Sequence, residues 1–327
     1  MKKIDTKIKL AFIYSPCKTL TPNYFFTTSY HFFMHALKRN PLLSVTYFPV
    51  NGTFDALDLK DKFDAILLFE NRCHCVPEEI KNLKKVNIPV ITRVGDLHNI
   101  KKYDAGEFHE RFNITAYFGY QHEKNFYQYY PKNYDYGVVL YGLEPSLYYE
   151  EKSFSERISD KILNTGAVGN TKFLSKIFNK INNPENALHH YKLRTLCNKL
   201  PYVDYTPTLQ HEYIGDKYPL LLQKYCASIA AGTFYPVIKY FEIPAAGCLT
   251  FMEVTEKNDC KFLGFEDGKN AIFINEENYK EKFFEFLEDR KNPKWEDIAN
   301  AGRTHALKNL NNDVALERII GLMHKFL

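Results

Sequence analysis

Lys239 and Glu242 stand three residues apart in the run Lys239-Tyr240-Phe241-Glu242-Ile243-Pro244-Ala245-Ala246-Gly247-Cys248-Leu249-Thr250-Phe251, beside a small-residue turn and an apolar strand. A carboxylate at a helix start can accept both hydroxyls of a ribose, and charge-assisted bonds of that kind contribute roughly 1.5–3 kcal/mol each. A lysine one turn away can face a diphosphate. The same pair also fits a solvated ion pair worth about 0.2–0.5 kcal/mol, with Ala245-Ala246-Gly247 an ordinary helix end closed by glycine.

Other segments carry chemistry of their own. Arg93-Val94-Gly95-Asp96-Leu97-His98 follows the apolar run Ile88 to Val94, a position where α/β enzymes place reacting groups. Asp96, or His98 in its stead, can take a proton from a hydroxyl or orient it; the alternative is a helix-capping aspartate and an exposed histidine. Arg194, in Tyr191-Lys192-Leu193-Arg194, can pair bidentately with phosphate or lie on a surface helix. Gly166-Ala167-Val168-Gly169-Asn170 follows a strand, so Gly166 and Asn170 mark a turn whose backbone can donate to an anion, although it is neither a dinucleotide fingerprint nor a P-loop. No Asp-x-Asp motif occurs, and Cys73-His74-Cys75 has no second Cys/His pair at zinc-finger spacing, so no metal is expected.

The elements that must position these residues alternate. Lys9 to Ser15 reads as a strand followed by a helical pattern through Tyr30, Phe33, Met34 and Leu37. Leu43 to Val50 and Asp64 to Phe69 supply further strands, the second a continuous apolar run of the kind buried on both faces of a parallel sheet. Pro77 to Lys85 reads as a helix, and Ile88 to Val94, Ile114 to Tyr120 and Tyr136 to Tyr141 as strands. A polar stretch, Glu150 to Arg157, reads as a linker. Beyond it come a strand at Lys161 to Gly166, a helical region after Thr171, a strand around Tyr218 to Gln223, the Lys239–Gly247 element, and strands at Leu249 to Val254 and Asn270 to Ile274. The alternation predicts two Rossmann-like α/β domains, residues 1–150 and 158–327, with ligand at the carboxyl ends of their strands.

The Lys239–Gly247 segment resembles the (R/K)-x-F-E-x-x-A-x-G signature of GT-B type glycosyltransferases, in particular the bacterial and archaeal branch that includes spore-protein and surface-polysaccharide transferases. The likeness continues through Gly264 to Phe273, a helix at Tyr279 to Glu288, Ile298-Ala299-Asn300-Ala301-Gly302-Arg303 and a terminal helix at Val314 to Phe326. In GT-B folds that last helix often crosses back to the N-terminal domain. The resemblance implies two Rossmann-like domains facing each other across a cleft. It makes Glu242 the ribose-binding glutamate, assigns the diphosphate to Lys239 and Arg194, and adds Gly166, Asn170, Gly232, Thr233 and Tyr240 to the donor nucleotide site. Ala231 to Tyr235 becomes the loop approaching the donor sugar and phosphates. Relatives often carry a second glutamate eight residues before the first, where this chain has Phe234, and Lys192 replaces a proline of the family's Y-P-x-R segment. The N-terminal domain would hold the acceptor, with Asp96 first and His98 second as catalytic residues, and leaving-group charge would fall to Lys239, Arg194 and backbone N–H groups.

Composition sets the outer limits. The 327 residues are 45% hydrophobic and include 24 Tyr and 26 Phe, enough for an aromatic-rich core in each of two domains. A net charge of +4, from 43 basic and 39 acidic residues, favours an anionic ligand or loose peripheral contact with an anionic membrane and makes no nucleic-acid stripe. Seven cysteines without regular spacing read as reduced thiols in a cytoplasmic protein, and no apolar run approaches the ~18 residues of a membrane span. The expected function is metal-independent transfer of a sugar from a UDP-, GDP- or similar nucleotide donor to a glycan, lipid-linked or protein acceptor, without a cofactor. A non-catalytic sugar-nucleotide-binding protein and a nucleotide-sugar epimerase remain the competing readings.

Overall fold

The computed structural model describes residues 7–24, 27–71, 75–97, 105–150, 152–171, 186–209 and 211–327. The chain divides into two compact units, one of residues 1–142 with 312–327 and the other of residues 143–311.

In the first unit the apolar runs become β1 (Ile8–Tyr14), β2 (Leu43–Pro49), β3 (Thr53–Asp55), β4 (Ala65–Leu68), β5 (Glu79–Lys81), β6 (Val90–Arg93), β7 (Ala116–Gly119) and β8 (Asp135–Val138). Six of them pair in parallel in the order β2-β1-β4-β6-β7-β8, while β3 and β5 form a separate parallel pair. Every residue of β4, β6 and β7 is buried, as a parallel sheet covered on both faces requires. One cover is the helical stretch Thr27–Tyr30, His31–Ala36 and Leu37–Arg39, whose middle portion is a π-helix. Its Phe33 stacks on Phe12 of β1 with ring centroids 5.2 Å apart. The terminal helix, Asn312–Met323, adds Ala315, Leu316, Ile319, Ile320 and Met323 to the same core. Two polar clamps seat it: Asn312 accepts from the Gly142 N–H at 2.7 Å, and Asp313 pairs with Arg39 at 2.8 Å.

The helix expected over Pro77 to Lys85 is instead the strand β5 followed by one helical turn, Leu83–Val86. Asn82 and Asn87 bracket that turn with φ of 60° and 51°, left-handed values that interrupt a helix and that asparagine tolerates better than most residues.

The second unit is built on β9 (Ile158–Thr165), β10 (Val203–Thr206), β11 (Tyr225–Ala230), β12 (Leu249–Glu253) and β13 (Ile272–Ile274), all parallel, in the order β10-β9-β11-β12-β13. Phe251 of β12 packs against Phe283 and Phe286 of the Tyr279–Glu288 helix, and Trp295 of the Pro293–Asn309 helix closes the cluster. The expected strand at Tyr218 to Gln223 is a helix, Tyr218–Leu222, and the strand starts later at Tyr225. Pro219 sits in that helix's first turn, where its missing N–H and fixed φ cost nothing. The Ile298–Arg303 segment lies inside the Pro293–Asn309 helix, and a Cβ on Gly302 would come 2.5 Å from the Asn270 carbonyl oxygen. Arg157, in the polar stretch read as a linker, is buried and donates to the carbonyls of Ala246 and Gly247 at 3.0 and 2.8 Å. The helical region expected after Thr171 falls largely on residues outside those described.

Candidate functional site

The Lys239–Ala245 helix opens with the lysine and carries Pro244 in its last turn. The proline therefore removes only a late backbone bond. Lys239 Nζ donates to the Tyr218 hydroxyl at 2.9 Å, and that hydroxyl lies 2.7 Å from Thr165 Oγ1 at the end of β9. The next residue is Gly166, with φ of 91°. A Cβ there would stand 2.9 Å from Lys239 Cε and 3.5 Å from an Arg194 terminal nitrogen. Glycine thus lets two cationic side chains close on one backbone turn.

Arg194 lies on the Lys192–Cys197 helix and is 2% exposed, not on the surface. Its guanidinium sits 4.0 Å over the Tyr191 ring and its Nε has no hydrogen-bond partner. Burial lowers the pKa of the group, but an arginine stays charged through such a shift.

Glu242 is one turn along from Lys239, part-covered as a residue but with a crowded carboxyl. Burial pushes that carboxyl up to about 7, with the Lys239 charge pulling the other way. Burial likewise brings the Lys239 ammonium down to about 8; Glu242 opposes the shift and Arg194 adds to it. In both groups lost solvation outweighs mutual attraction. A ligand that brings its own negative charge to Lys239 and Arg194 and hydroxyls to Glu242 answers all three needs.

The other residues expected at the donor site divide. The Gly166 N–H is taken by Thr206 O at 2.9 Å and the Gly169 N–H by Thr195 Oγ1 at 2.8 Å, so these two amides are spent within the fold and do not serve an anion. Asn170 is exposed at the end of the turn. Thr233 accepts from the Lys192 N–H at 3.3 Å and donates its own N–H to His190 O at 3.0 Å, fastening the loop to the neighbouring helix turns. The Gly232 carbonyl accepts from Asn258 Nδ2 at 3.0 Å. Tyr240, expected as a nucleotide contact, is fully buried and spends its hydroxyl on Glu253 O at 2.8 Å. Thr165 and Tyr218 were not expected there. Their signal, a hydroxyl at a strand end and a tyrosine before a proline, is common to many chains.

In the first unit the turn after β6 is held from several sides. Asn71 Oδ1 accepts the Gly95 N–H at 2.9 Å, and the Val94 N–H reaches Phe118 O at 2.7 Å. Arg93 forms a buried ion pair with Glu70, donates to Ser29 Oγ at 3.1 Å and to the Tyr141 hydroxyl at 2.7 Å, and stands 4.6 Å over the Phe69 ring. Asp96 follows, half-buried, close enough for its charge to act on Tyr141. His98 lies outside the described residues, as do Cys73 and His74. The sequence reading passed over Glu70, which ends the apolar run of β4 and pairs with the arginine ending β6.

Among the described residues no group of three or more His, Cys, Asp or Glu side chains is placed to hold a metal ion. Among them, too, no helix is long and apolar enough to cross a membrane.

No family model matches the sequence, and no curated protein matches it. Solved structures match in fold. The Anabaena protein HepE in complex with UDP and glucose is similar with a TM-score of 0.54 at 12% identity, over 97% of this chain and 100% of that one. An alpha-glucosyltransferase in complex with UDP-glucose and DNA containing an abasic site gives 0.56 at 11% identity, again over 97% and 100%. The fold of the chain is therefore GT-B, two α/β units each built on a parallel sheet.

Proposed function

We propose that the protein is a glycosyltransferase that moves a sugar from a nucleotide donor to a hydroxyl acceptor without a bound metal. The observation that carries this reading is the convergence of Lys239 and Arg194 on Gly166, one helical turn from Glu242. In it the diphosphate lies against the two cations, the ribose hydroxyls are accepted by Glu242, and the same cations stabilise the charge that grows on the departing nucleoside diphosphate. Asp96, or His98, serves the acceptor hydroxyl from the first unit. The fold likeness to structures described with UDP or UDP-glucose supports a nucleotide-sugar donor and favours UDP as the first probe. A glycan, lipid-linked or protein acceptor, handled in the cytoplasm, fits the mild positive charge of the chain.

The test is a thermal-shift screen of the full chain with UDP, GDP, UDP-glucose and GDP-mannose, followed by a turnover assay with and without a chelator. A ligand at a hundred times its Kd adds about 2.7 kcal/mol to stability, so the right nucleotide raises Tm clearly, and release of its diphosphate from the donor follows. No shift with any of them overturns the reading. Binding without turnover makes the protein a sugar-nucleotide receptor, and an altered sugar on an intact donor makes it an epimerase.

A further inference from the structure

Glu253 closes β12, in the sequence Leu249-Thr250-Phe251-Met252-Glu253 whose every residue is buried. It is 4% exposed, and its Oε2 has no hydrogen-bond partner. Buried polar atoms are normally paired, and leaving one unpaired costs roughly 1–3 kcal/mol. Its surroundings are nonetheless built with care. The Glu253 carbonyl accepts from Tyr240 Oη at 2.8 Å and Asn258 Nδ2 at 2.9 Å, and the same Asn258 nitrogen holds Gly232 O at 3.0 Å. The main chain of Glu253 is thus firmly held, while its Oε2 has no partner in the fold. Arg194 lies on the Lys192–Cys197 helix, whose first N–H bonds Thr233 Oγ1, beside Gly232 in the same loop, at 3.3 Å, and it carries an unpartnered buried nitrogen of its own.

We propose that Glu253 is a sugar-recognising residue of the donor site, its free Oε2 binding a hydroxyl of the transferred sugar while Arg194 meets the adjoining phosphate. This rests on the glycosyl-transfer reading above. The ligand chemistry follows from the two orphan groups: an anion for the arginine and, next to it, a neutral hydroxyl for the carboxyl. A second phosphate at Glu253 is excluded by charge repulsion. A hydroxyl suits the carboxyl in either protonation state, donating to the carboxylate or accepting from the acid, which matters because burial and the nearby Glu276 charge push the group up to about 7. The loop Ala231 to Tyr235 is tied to the Glu253 main chain through Asn258, which bonds both Gly232 O and Glu253 O, so the residue that reads the sugar is anchored to that loop.

The experiment uses the full chain with Glu253→Gln and Glu253→Ala. Calorimetry gives the Kd of UDP or GDP, whichever the wild type binds, and kinetics give kcat/KM for the matching sugar nucleotide and for its monodeoxy-sugar analogues. Diphosphate affinity within about twofold of wild type, with kcat/KM for the donor down about 10- to 100-fold, is the expected result. One deoxy analogue should lose a similar factor with the wild type and almost nothing with either variant. Equal losses of diphosphate and donor would make Glu253 a structural support of the Gly232 turn and overturn the proposal, while leaving the function reading intact. Unchanged donor kinetics would overturn it as well. A wild type that binds neither UDP nor GDP would remove the function reading, and this proposal with it.

Discussion

Replacing Glu242 by glutamine tests both what the residue does and why its carboxyl is unusual. With a carboxyl at about 7, the group is about nine-tenths ionised at pH 8 and about nine-tenths protonated at pH 6. At pH 8 a ribose loses a charged acceptor in the variant, a cost of about 1–3 kcal/mol or roughly 5- to 150-fold in Kd. At pH 6 the wild type must first ionise, at about 1.4 kcal/mol, so its advantage over glutamine shrinks by up to about tenfold. Loss of the Glu242 charge also lowers the Lys239 pKa, so the Kd ratio is compared between UDP and uridine, which has no phosphate to feel that change. Stability runs the opposite way. The folded-state pKa of Glu242 lies above its ordinary 4.5, so the charged carboxylate costs stability, fully above about pH 7 and not at all below about 4.5. The unliganded Glu242→Gln protein should accordingly melt at or above the wild-type temperature at pH 8, and the difference should vanish near pH 4.5. Calorimetric titration with UDP and uridine at pH 6, 7 and 8, beside melting curves without ligand, reads both effects. A Kd ratio that stays near one at pH 8, or does not change with pH, refutes the ribose assignment; a variant that melts much lower at pH 8 refutes the account of the carboxyl.

Lys239→Ala and Arg194→Ala should each weaken UDP binding at least tenfold more than uridine binding and lower turnover further still; equal losses for nucleoside and diphosphate would point to a folding defect. Gly166→Ala should lower nucleotide affinity and cost about 1 kcal/mol or more of stability, because the new methyl meets Lys239 Cε at 2.9 Å and the backbone holds φ at 91°; an alanine variant with wild-type Tm and affinity would show that the turn is not constrained as described. Asp96→Asn should keep donor affinity while transfer falls about 10²–10⁴-fold, with His98→Ala showing the same separation if the histidine holds the role. Full transfer by both variants removes the assignment.

Much of the architecture was legible because parallel sheets announce themselves as short apolar runs. Asp64 to Phe69 and Ile88 to Val94 contain β4 and β6, and the helix expected around Tyr279 to Glu288 is present. The failures fell where a local rule was ambiguous. Leu220-Leu221-Leu222 is apolar in a helix as readily as in a strand over so few residues, and the decisive sign was Pro219 ahead of it. Lys239 and Glu242 stood out by type and spacing, and Arg194 only through the likeness of its segment to a family motif; the approach of Lys239 and Arg194 to one glycine became visible in the fold. Gly166 was chosen for the wrong reason: its amide is occupied, and its value is the space that it leaves for side chains from two helices. Glu253 could not be singled out, because a lone carboxylate ending a strand becomes informative only when its burial and its missing partner are known.

The terminal helix gives the order of synthesis a physical consequence. Residues 143–311 form one continuous unit, whereas the first unit needs Leu316, Ile319 and Met323 to complete a core begun by Phe12 and Phe33. A chain still growing on the ribosome can therefore close residues 143–311 while the sheet made first stands with an apolar face uncovered until residues 312–323 emerge. Long-range closure of this kind is slow and exposes sticky surface. Removing the Asn312–Met323 helix would strike a sheet whose strands begin far earlier in the sequence, at Ile8, and leave it prone to aggregate, while the unit of residues 143–311 keeps its own core.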